Sequence, residues 1–295
     1  MIVNQSALKG IFVGFNTIFN KVFSETETKY EKIATTVPSK TKEENYKWLG
    51  KIPSMREWIG DREIQNLSAS DYTIKNKDYE LTVGVDRNDI EDDTLGIYNP
   101  VVSDIAASTK TFPDKLVFGM LKEGFENKCY DGQAFFSEAH AVGKKKVSNK
   151  SNKKLTAESY AAARVAIMSL TDENGESLNL VPNLLVVPPA LEGAALEILK
   201  RDTINGSTNI YKDTADILVA PELSGKDTAW YLLCTTKPLK PLIFQERKVP
   251  KFTSLTNDAD ENVFMRKEFL YGVDRRANAG YGFWQMAFGS TGEQA

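Results

Sequence analysis

Hydrophobic residues recur every three or four positions near the start of the chain, which predicts an amphipathic helix over residues 2–23. The apolar face of this helix is an aromatic stripe that includes Phe12, Phe15 and Phe19. A helix so rich in phenylalanine needs an apolar surface to cover it, either in the chain's own core or on a neighbouring subunit.

The same spacing returns over residues 96–125 and predicts a second, longer helix. Pro113 lies inside this segment, and a proline inside a helix removes one hydrogen bond and clashes with the preceding turn. We therefore expect either a bend or two helices that meet near Thr111.

The segment between these helices has a different pattern. Residues 24–47 are polar and charged, which predicts an extended arm. Apolar side chains then alternate with other residues, which predicts strands over 63–74 and 79–86. These strands would form a long β-hairpin that lies against another surface, and its tip would be the polar turn of Lys75, Asn76, Lys77 and Asp78.

Residues 131–154 predict a loop, because six lysines lie between positions 144 and 154 and few apolar residues accompany them. We interpret this loop as mobile and solvated. The alternative is a weak, salt-sensitive contact with phosphates.

The rest of the chain alternates between predicted helices and strands. Thr156 is a suitable N-cap for a helix that ends at Leu170. The other predicted elements are a helix over 190–200, strands over 184–187, 217–220, 230–235, 242–245, 264–273 and 281–288, a linker over 274–280 and a loose tail over 290–295.

The composition is that of an average soluble globular protein. The 295 residues include 37 Lys and Arg against 40 Asp and Glu, which gives a net charge of −3, and 41% of them are hydrophobic. These values exclude a disordered chain, a collagen-like repeat and a disulfide scaffold, and they argue against a dedicated polyanion-binding protein. We predict neither a signal peptide nor a membrane span, and we expect synthesis in a cytoplasm.

Candidate catalytic chemistry is sparse. The sequence has no glycine-rich phosphate loop, no nucleophile elbow and no zinc-type spacing of Cys or His. Cys129 and His140 could act as nucleophile and base, but the simpler interpretation is a loop histidine beside Phe135 and Phe136, which anchor the loop to the core. The acidic run over 89–93 could bind a divalent cation, but a solvated or helix-capping turn explains it better. We predict no catalytic residue, no cofactor and no metal.

Four longer segments carry a resemblance to a known family. They are WLGKIPSMREWIGDR (48–62), ELTVGVDRNDIEDDTLGIYNP (80–100), DGQAFFSEAH (131–140) and FLYGVDRRANAGYGFWQMAFGS (269–290). Together with the order of predicted elements, they resemble the Mu-like prophage major head subunit (gpT-type) family, whose members are tailed-phage capsid proteins of the Hong Kong 97 fold. The resemblance extends over nearly the whole chain.

This resemblance implies an α+β fold with five parts. They are an N-terminal helix and arm (1–47), an extended-loop hairpin (48–95), a spine helix with the peripheral domain (96–154), an axial domain (155–263), and strands that return to the peripheral domain followed by a tail (264–295). The turn of Lys75, Asn76, Lys77 and Asp78 would then contact a neighbouring subunit. The stripe of Phe12, Phe15 and Phe19 would carry contacts of the N-terminal arm.

The function implied by the resemblance is self-assembly into an icosahedral shell that encloses double-stranded DNA without sequence-specific binding. Expected partners are other copies in pentamers and hexamers, a separate scaffold protein, a maturation protease and a portal. The protein would assemble in the bacterial cytoplasm and reside in the virion capsid, without membrane contact. The alternatives are the shell of an encapsulin-like nanocompartment that packages a cargo enzyme, a tail or baseplate protein, and a hydrolase that uses the acidic run or Cys129 with His140.

Overall fold

The computed structural model describes residues 5–50, 71–92, 96–204 and 206–294. The α-helices in these ranges are α1 (Gln5–Glu25), α2 (Arg87–Asp92), α3 (Asn99–Glu123), α4 (Ala157–Met168), α5 (Glu192–Lys200) and α6 (Glu261–Arg266). The strands are β1 (Ala34–Pro38), β2 (Glu43–Asn45), β3 (Thr73–Lys75), β4 (Lys77–Asp86), β5 (His140–Val142), β6 (Lys145–Val147), β7 (Lys150–Lys153), β8 (Leu184–Val187), β9 (Thr203–Ile204), β10 (Ser207–Thr208), β11 (Asp216–Val219), β12 (Trp230–Leu233), β13 (Leu242–Leu255), β14 (Glu268–Tyr281) and β15 (Ala287–Gln294).

Two larger sheets organise these strands. One sheet has four strands in the order β1-β13-β14-β4, in which only β1 and β13 run parallel. The other has five strands in the order β11-β8-β12-β15-β7. Both sheets mix parallel and antiparallel neighbours and pack with helices, so the fold is α+β as predicted.

Helix α3 connects two hydrophobic cores. Its first half buries Val102 and Ile105 in the smaller core, together with aromatic residues of α1 and of the four-stranded sheet. Its second half buries Phe118 and Leu121 in the larger core, which also contains strands of the five-stranded sheet. Because one continuous helix contributes to both cores, it fixes the position of one core relative to the other.

The strongest local signals in the sequence are confirmed. The predicted helices over 2–23 and 96–125 are α1 and α3, although residues 1–4 lie outside the described residues. Thr156 caps α4, since its side chain accepts a hydrogen bond from the backbone N–H of Ser159, whose hydroxyl in turn accepts one from the Thr156 N–H. The short apolar strands over 184–187, 217–220 and 230–235 are β8, β11 and β12.

The predicted hairpin around residues 75–78 is wrong. Strand β3 pairs with β2, and all ten residues of β4 pair with β14. Lys75 therefore ends one strand, Lys77 and Asp78 begin another, and only Asn76 lies between them. The alternation over 79–86 identified a strand correctly, but it could not identify the partner, which lies about 190 residues later in the chain. Most of the other predicted strand, 63–70, lies outside the described residues.

Four segments that were predicted as an arm, a loop, a linker and a tail contain ordered strands. The polar arm contains β1, which pairs with β13, and β2. The lysine-rich loop contains the β5–β6 hairpin and β7, which pairs with β15. The predicted linker over 274–280 belongs to β14, and residues 290–294 of the predicted loose tail belong to β15. For β1 and β7, the hydrogen bonds of a long partner strand, β13 and β15 respectively, outweigh a polar local composition.

Two further predictions need correction. Residues 264–266 lie in helix α6 and not in a strand. Pro113 lies inside the single helix α3, so two separate helices meeting near Thr111 are excluded. The two terminal strands lie in different sheets, since β14 joins the four-stranded sheet and β15 joins the five-stranded sheet beside β12.

Candidate functional site

Asn76 is a buried junction and not an exposed turn residue. Its side-chain amide donates hydrogen bonds to the Ser39 hydroxyl at 2.8 Å and to the Thr41 carbonyl at 2.9 Å. Its side-chain oxygen accepts a hydrogen bond from Gln245 Nε2 at 2.8 Å. Lys75, Lys77 and Asp78, in contrast, are exposed.

Gln245 extends this network into the four-stranded sheet. Its side chain is fully buried in β13, and its Nε2 also donates to the Ile74 carbonyl at 3.1 Å. Its Oε1 accepts a hydrogen bond from the Tyr46 hydroxyl at 2.9 Å, and burial raises the pKa of that hydroxyl. Because every buried polar group here has a partner, the network fixes the small β2–β3 sheet against β13.

The phenylalanine stripe of α1 packs on the chain's own sheet. Phe19 stacks on Phe252 with ring centroids 5.1 Å apart, and Phe12 stacks on the same ring at 5.8 Å. Phe15 meets Tyr271 edge to face at 5.2 Å. Of the two surfaces considered for this stripe, the structure therefore shows the chain's own core, and a contact with a neighbouring subunit stays a prediction.

Arg275 is a buried cation that the sequence analysis missed. One of its guanidinium nitrogens donates to Glu246 Oε1 at 2.7 Å, and the group lies over the ring of Phe244. A second nitrogen donates to the backbone carbonyl of Thr109 in α3. Pro113 has no N–H to offer this carbonyl, so the proline in the predicted helix was the signal that an outside donor is required.

Cys129, Asp131, His140 and Asn149 form a second buried network. The Asp131 carboxylate lies between the other two candidates, 2.6 Å from His140 Nδ1 and 3.2 Å from the Cys129 sulfur. His140 Nε2 faces the Asn149 side-chain oxygen at 3.2 Å, and the imidazole ring stacks on Trp284 with centroids 4.0 Å apart.

This geometry does not favour a nucleophilic pair. The Cys129 thiol donates to Asp131 and not to His140, and burial raises its pKa, so the unreactive thiol form is favoured. Burial alone also raises the pKa of Asp131, but hydrogen bonds from His140, the Gln133 N–H and Cys129 outweigh that effect and lower it. The contacts of Asp131 with both side chains support the simpler interpretation, a histidine in a segment that Phe135 and Phe136 anchor to the core.

Cys129, Asp131 and His140 are also close enough together to be ligands of one metal ion. One ligand atom each from Cys129, Asp131 and His140 lies within 4.8 Å of the others. Their polar atoms already form hydrogen bonds with one another, and the Asp131 carboxylate also accepts one from the Gln133 N–H.

The acidic run over 89–93 was the other candidate for a cation site. Its Asp89 accepts a hydrogen bond from the Tyr98 hydroxyl at 2.8 Å and lies in the first turn of α2, as a helix-capping acid would.

Comparisons with known proteins agree on one family. The profile described as Mu-like prophage major head subunit gpT matches residues 8–154, 146–223 and 222–294. The chain is 34% identical over 293 residues to the major capsid protein of Escherichia phage Mu, which covers 99% of this chain and 76% of that protein. It is also 34% identical over 291 residues to the Mu-like prophage FluMu major head subunit of Haemophilus influenzae, covering 99% and 75%.

A solved structure extends the comparison to three dimensions. A chain in the procapsid of bacteriophage JBD30 is 34% identical and superimposes with a TM-score of 0.65, covering 99% of this chain and 77% of that one. Within the described ranges, no helix is both long and apolar enough to cross a membrane.

Proposed function

Because this chain belongs to the Mu-like prophage major head subunit gpT family, we propose that its copies assemble into the closed shell of a phage head. The observation that carries this function is 34% identity to a phage major capsid protein over 99% of the chain. The protein is a major capsid protein of a Mu-like phage or prophage.

The two sheets suggest how the chain is divided within a subunit. The four-stranded sheet with α1 and the first half of α3 would form the peripheral part, and the five-stranded sheet with α4 and α5 would form the axial part. The smaller core supports the peripheral part, because it joins α1 and the first half of α3 to β4, β13 and β14. The larger core contains the five-stranded sheet together with one end of the four-stranded sheet, and α3 would be the spine between the two cores. Under this proposal β13 and β14 belong to the peripheral part, although β13 was predicted in the axial segment.

Contacts between subunits would come from surfaces that the chain does not cover itself. Lys75, Lys77 and Asp78 are exposed and remain candidates for such contacts, whereas buried Asn76 would hold them in place. Phe12, Phe15 and Phe19 would act indirectly, because they attach α1 to its own sheet and thereby orient the opposite face of the helix. Each contact can be weak, because a closed lattice multiplies many modest contacts.

The proposed partners follow from this role. Copies of the chain would form pentamers and hexamers, and a separate scaffold, a maturation protease and a portal would act during assembly in the bacterial cytoplasm. The shell would enclose double-stranded DNA without reading its sequence. A net charge of −3 supports this, because tight DNA binding needs many neutralising cations. An encapsulin-like compartment is not favoured, since the relatives that match 99% of this chain are phage head proteins.

The content of purified particles tests this proposal. The chain would be expressed together with its neighbouring genes, and particles would be isolated by sedimentation and treated with nuclease. Shells that protect double-stranded DNA are expected. Shells that instead contain one enzyme in fixed stoichiometry would support the nanocompartment, and the absence of shells would contradict both assignments.

A further inference from the structure

The long ribbon of β13 and β14 ends at α6, and this end exposes large apolar side chains. Phe264 is 80% exposed and Met265 is 69% exposed. The loop before them and the first turn of α6 contribute three acidic residues, so apolar and negative groups lie side by side. We call this set the tip patch: Asp258, Asp260, Glu261, Phe264 and Met265.

The tip patch stands on a rigid support. The Asn262 side chain is buried and donates to the Leu255 carbonyl at 3.1 Å and to the Glu268 carbonyl at 2.7 Å, which closes the ends of β13 and β14. Val263 is buried in the smaller core. Because its support is already ordered, the patch loses little conformational entropy when it is covered.

A second patch lies in the middle of the same ribbon. Strand β13 loses its register with β14 between Glu246 and Lys251, and Val249 in this bulge is 61% exposed. Lys248 forms an ion pair with Asp274. Arg247 and Lys251 are exposed, and neither forms an ion pair with any residue that the structure describes. We call Arg247, Val249 and Lys251 the bulge patch.

The acids of the tip patch and the cations of the bulge patch are complementary in charge, although the exposed cations Arg266 and Lys267 follow the tip patch at the other end of α6. Both patches carry exposed apolar side chains. Within the part of the chain that the structure describes, Asp258 is the one tip acid that forms an ion pair, a long surface contact with Arg87 at 3.7 Å. The two free cations of the bulge would face these acids, while Val249 would lie against the apolar residues of the tip. We propose that the tip patch of one copy docks on the bulge patch of a second copy of this chain.

This contact rests on the proposed function, since it is a contact within the shell. Both patches lie on the same rigid ribbon, so the tip patch of a chain cannot contact the bulge patch of that same chain. The contact is therefore heterologous: every copy offers one tip and receives another. Contacts of this kind close into rings when the rotation between copies allows it, as a shell of rings requires.

Charge reversal tests this contact. One variant carries Asp258→Lys and Glu261→Lys at the tip, a second carries Arg247→Glu and Lys251→Glu at the bulge, and a third carries all four changes. Particle yield is measured by sedimentation and negative-stain microscopy after expression with the neighbouring genes. We expect each two-site variant to lose particles by about tenfold or more, because like charges then face each other, and the four-site variant to recover them.

A matched control separates this effect from net charge. Lys144→Glu with Lys146→Glu makes the same charge change as the bulge variant on the exposed β5–β6 hairpin, and wild-type yield is expected. Circular dichroism confirms that each variant folds. Particles at wild-type yield from both two-site variants, or no recovery in the folded four-site variant, would overturn the contact and leave the proposed function intact. Absence of particles from the wild-type chain would overturn both.

Discussion

The guanidinium of Arg275 donates a hydrogen bond to the backbone carbonyl of Thr109 at 3.3 Å, where a regular helix would supply the N–H of residue 113. Residue 113 is a proline, so the regular helical hydrogen bond to this carbonyl is missing. Arg275 also pairs with Glu246 of β13 at 2.7 Å. One buried side chain of β14 therefore joins the spine helix to the sheet at the point where the helix lacks a hydrogen bond.

Replacing this arginine should destabilise the fold. Arg275→Met keeps the apolar stem but leaves the Thr109 carbonyl and the Glu246 carboxylate without their donor. We expect a loss of about 3 kcal/mol in the free energy of unfolding, measured by urea denaturation. The neighbouring Arg276 pairs with Asp78 at the surface at 3.6 Å, so Arg276→Met is the matched control and should cost less than about 0.5 kcal/mol. Equal losses of unfolding free energy in the two variants would contradict the role of Arg275 in connecting α3 to the sheet.

The buried amide of Asn76 gives a second prediction. Asn76→Ala removes two donated hydrogen bonds and leaves Gln245 Nε2 with one partner fewer in a closed site. The expected cost is about 2–3 kcal/mol in the free energy of unfolding. Lys77→Ala changes an exposed neighbour and should stay within about 0.5 kcal/mol. If both variants unfold like the wild type, residue 76 is not the junction described above.

The aromatic contact of α1 can be measured in the same way. Phe19 is buried against Phe252, so Phe19→Ala leaves a cavity and should cost about 3–5 kcal/mol. Val13 lies on the exposed side of the same helix, and Val13→Ala should change the unfolding free energy by less than about 0.5 kcal/mol. A small effect of Phe19→Ala would show that α1 is not held by its own sheet in solution.

The Asp131 network predicts a dependence on pH. The pKa of Asp131 is lowered in the folded chain, so its stabilising effect is fully present above the unfolded pKa of about 3.9 and is lost as the pH falls through the folded value. Asp131→Asn should therefore be less stable than the wild type at pH 5, and this deficit should shrink as the pH falls below about 4. Urea denaturation of both proteins across this range checks it. A deficit that stays constant down to the lowest pH would contradict an ionised Asp131.

The sequence predicted elements well where local signals dominate. The spacing of Phe12, Phe15 and Phe19 identified α1, and Thr156 identified the start of α4, because helix periodicity and capping depend on neighbouring residues. The partners of strands could not be predicted, since β4 pairs with residues about 190 positions away. The turn predicted over residues 75–78 was wrong for the same reason. A polar Lys-Asn-Lys-Asp sequence suits a turn, but Asn76 is buried and forms hydrogen bonds with Ser39 and Gln245, which are distant in the sequence.

For the candidate functional residues, too, local features could be predicted and contacts between distant segments could not. The interpretation of His140 as a histidine beside the anchoring pair Phe135 and Phe136 came from its immediate neighbours in the sequence. Its stacking on Trp284, in contrast, joins segments that the sequence does not place together. Pro113 signalled a missing hydrogen bond in the spine helix. It could not indicate that Arg275, more than 160 residues later, would supply the donor.

Cryo-electron microscopy of particles formed by the expressed chain tests the central assignment most directly. The account predicts closed shells built from rings of five and six copies, in which the fold described here fits each subunit with α3 spanning its two cores. A chain that stays monomeric when expressed with its neighbouring phage genes, or that forms only open fibres, would contradict it.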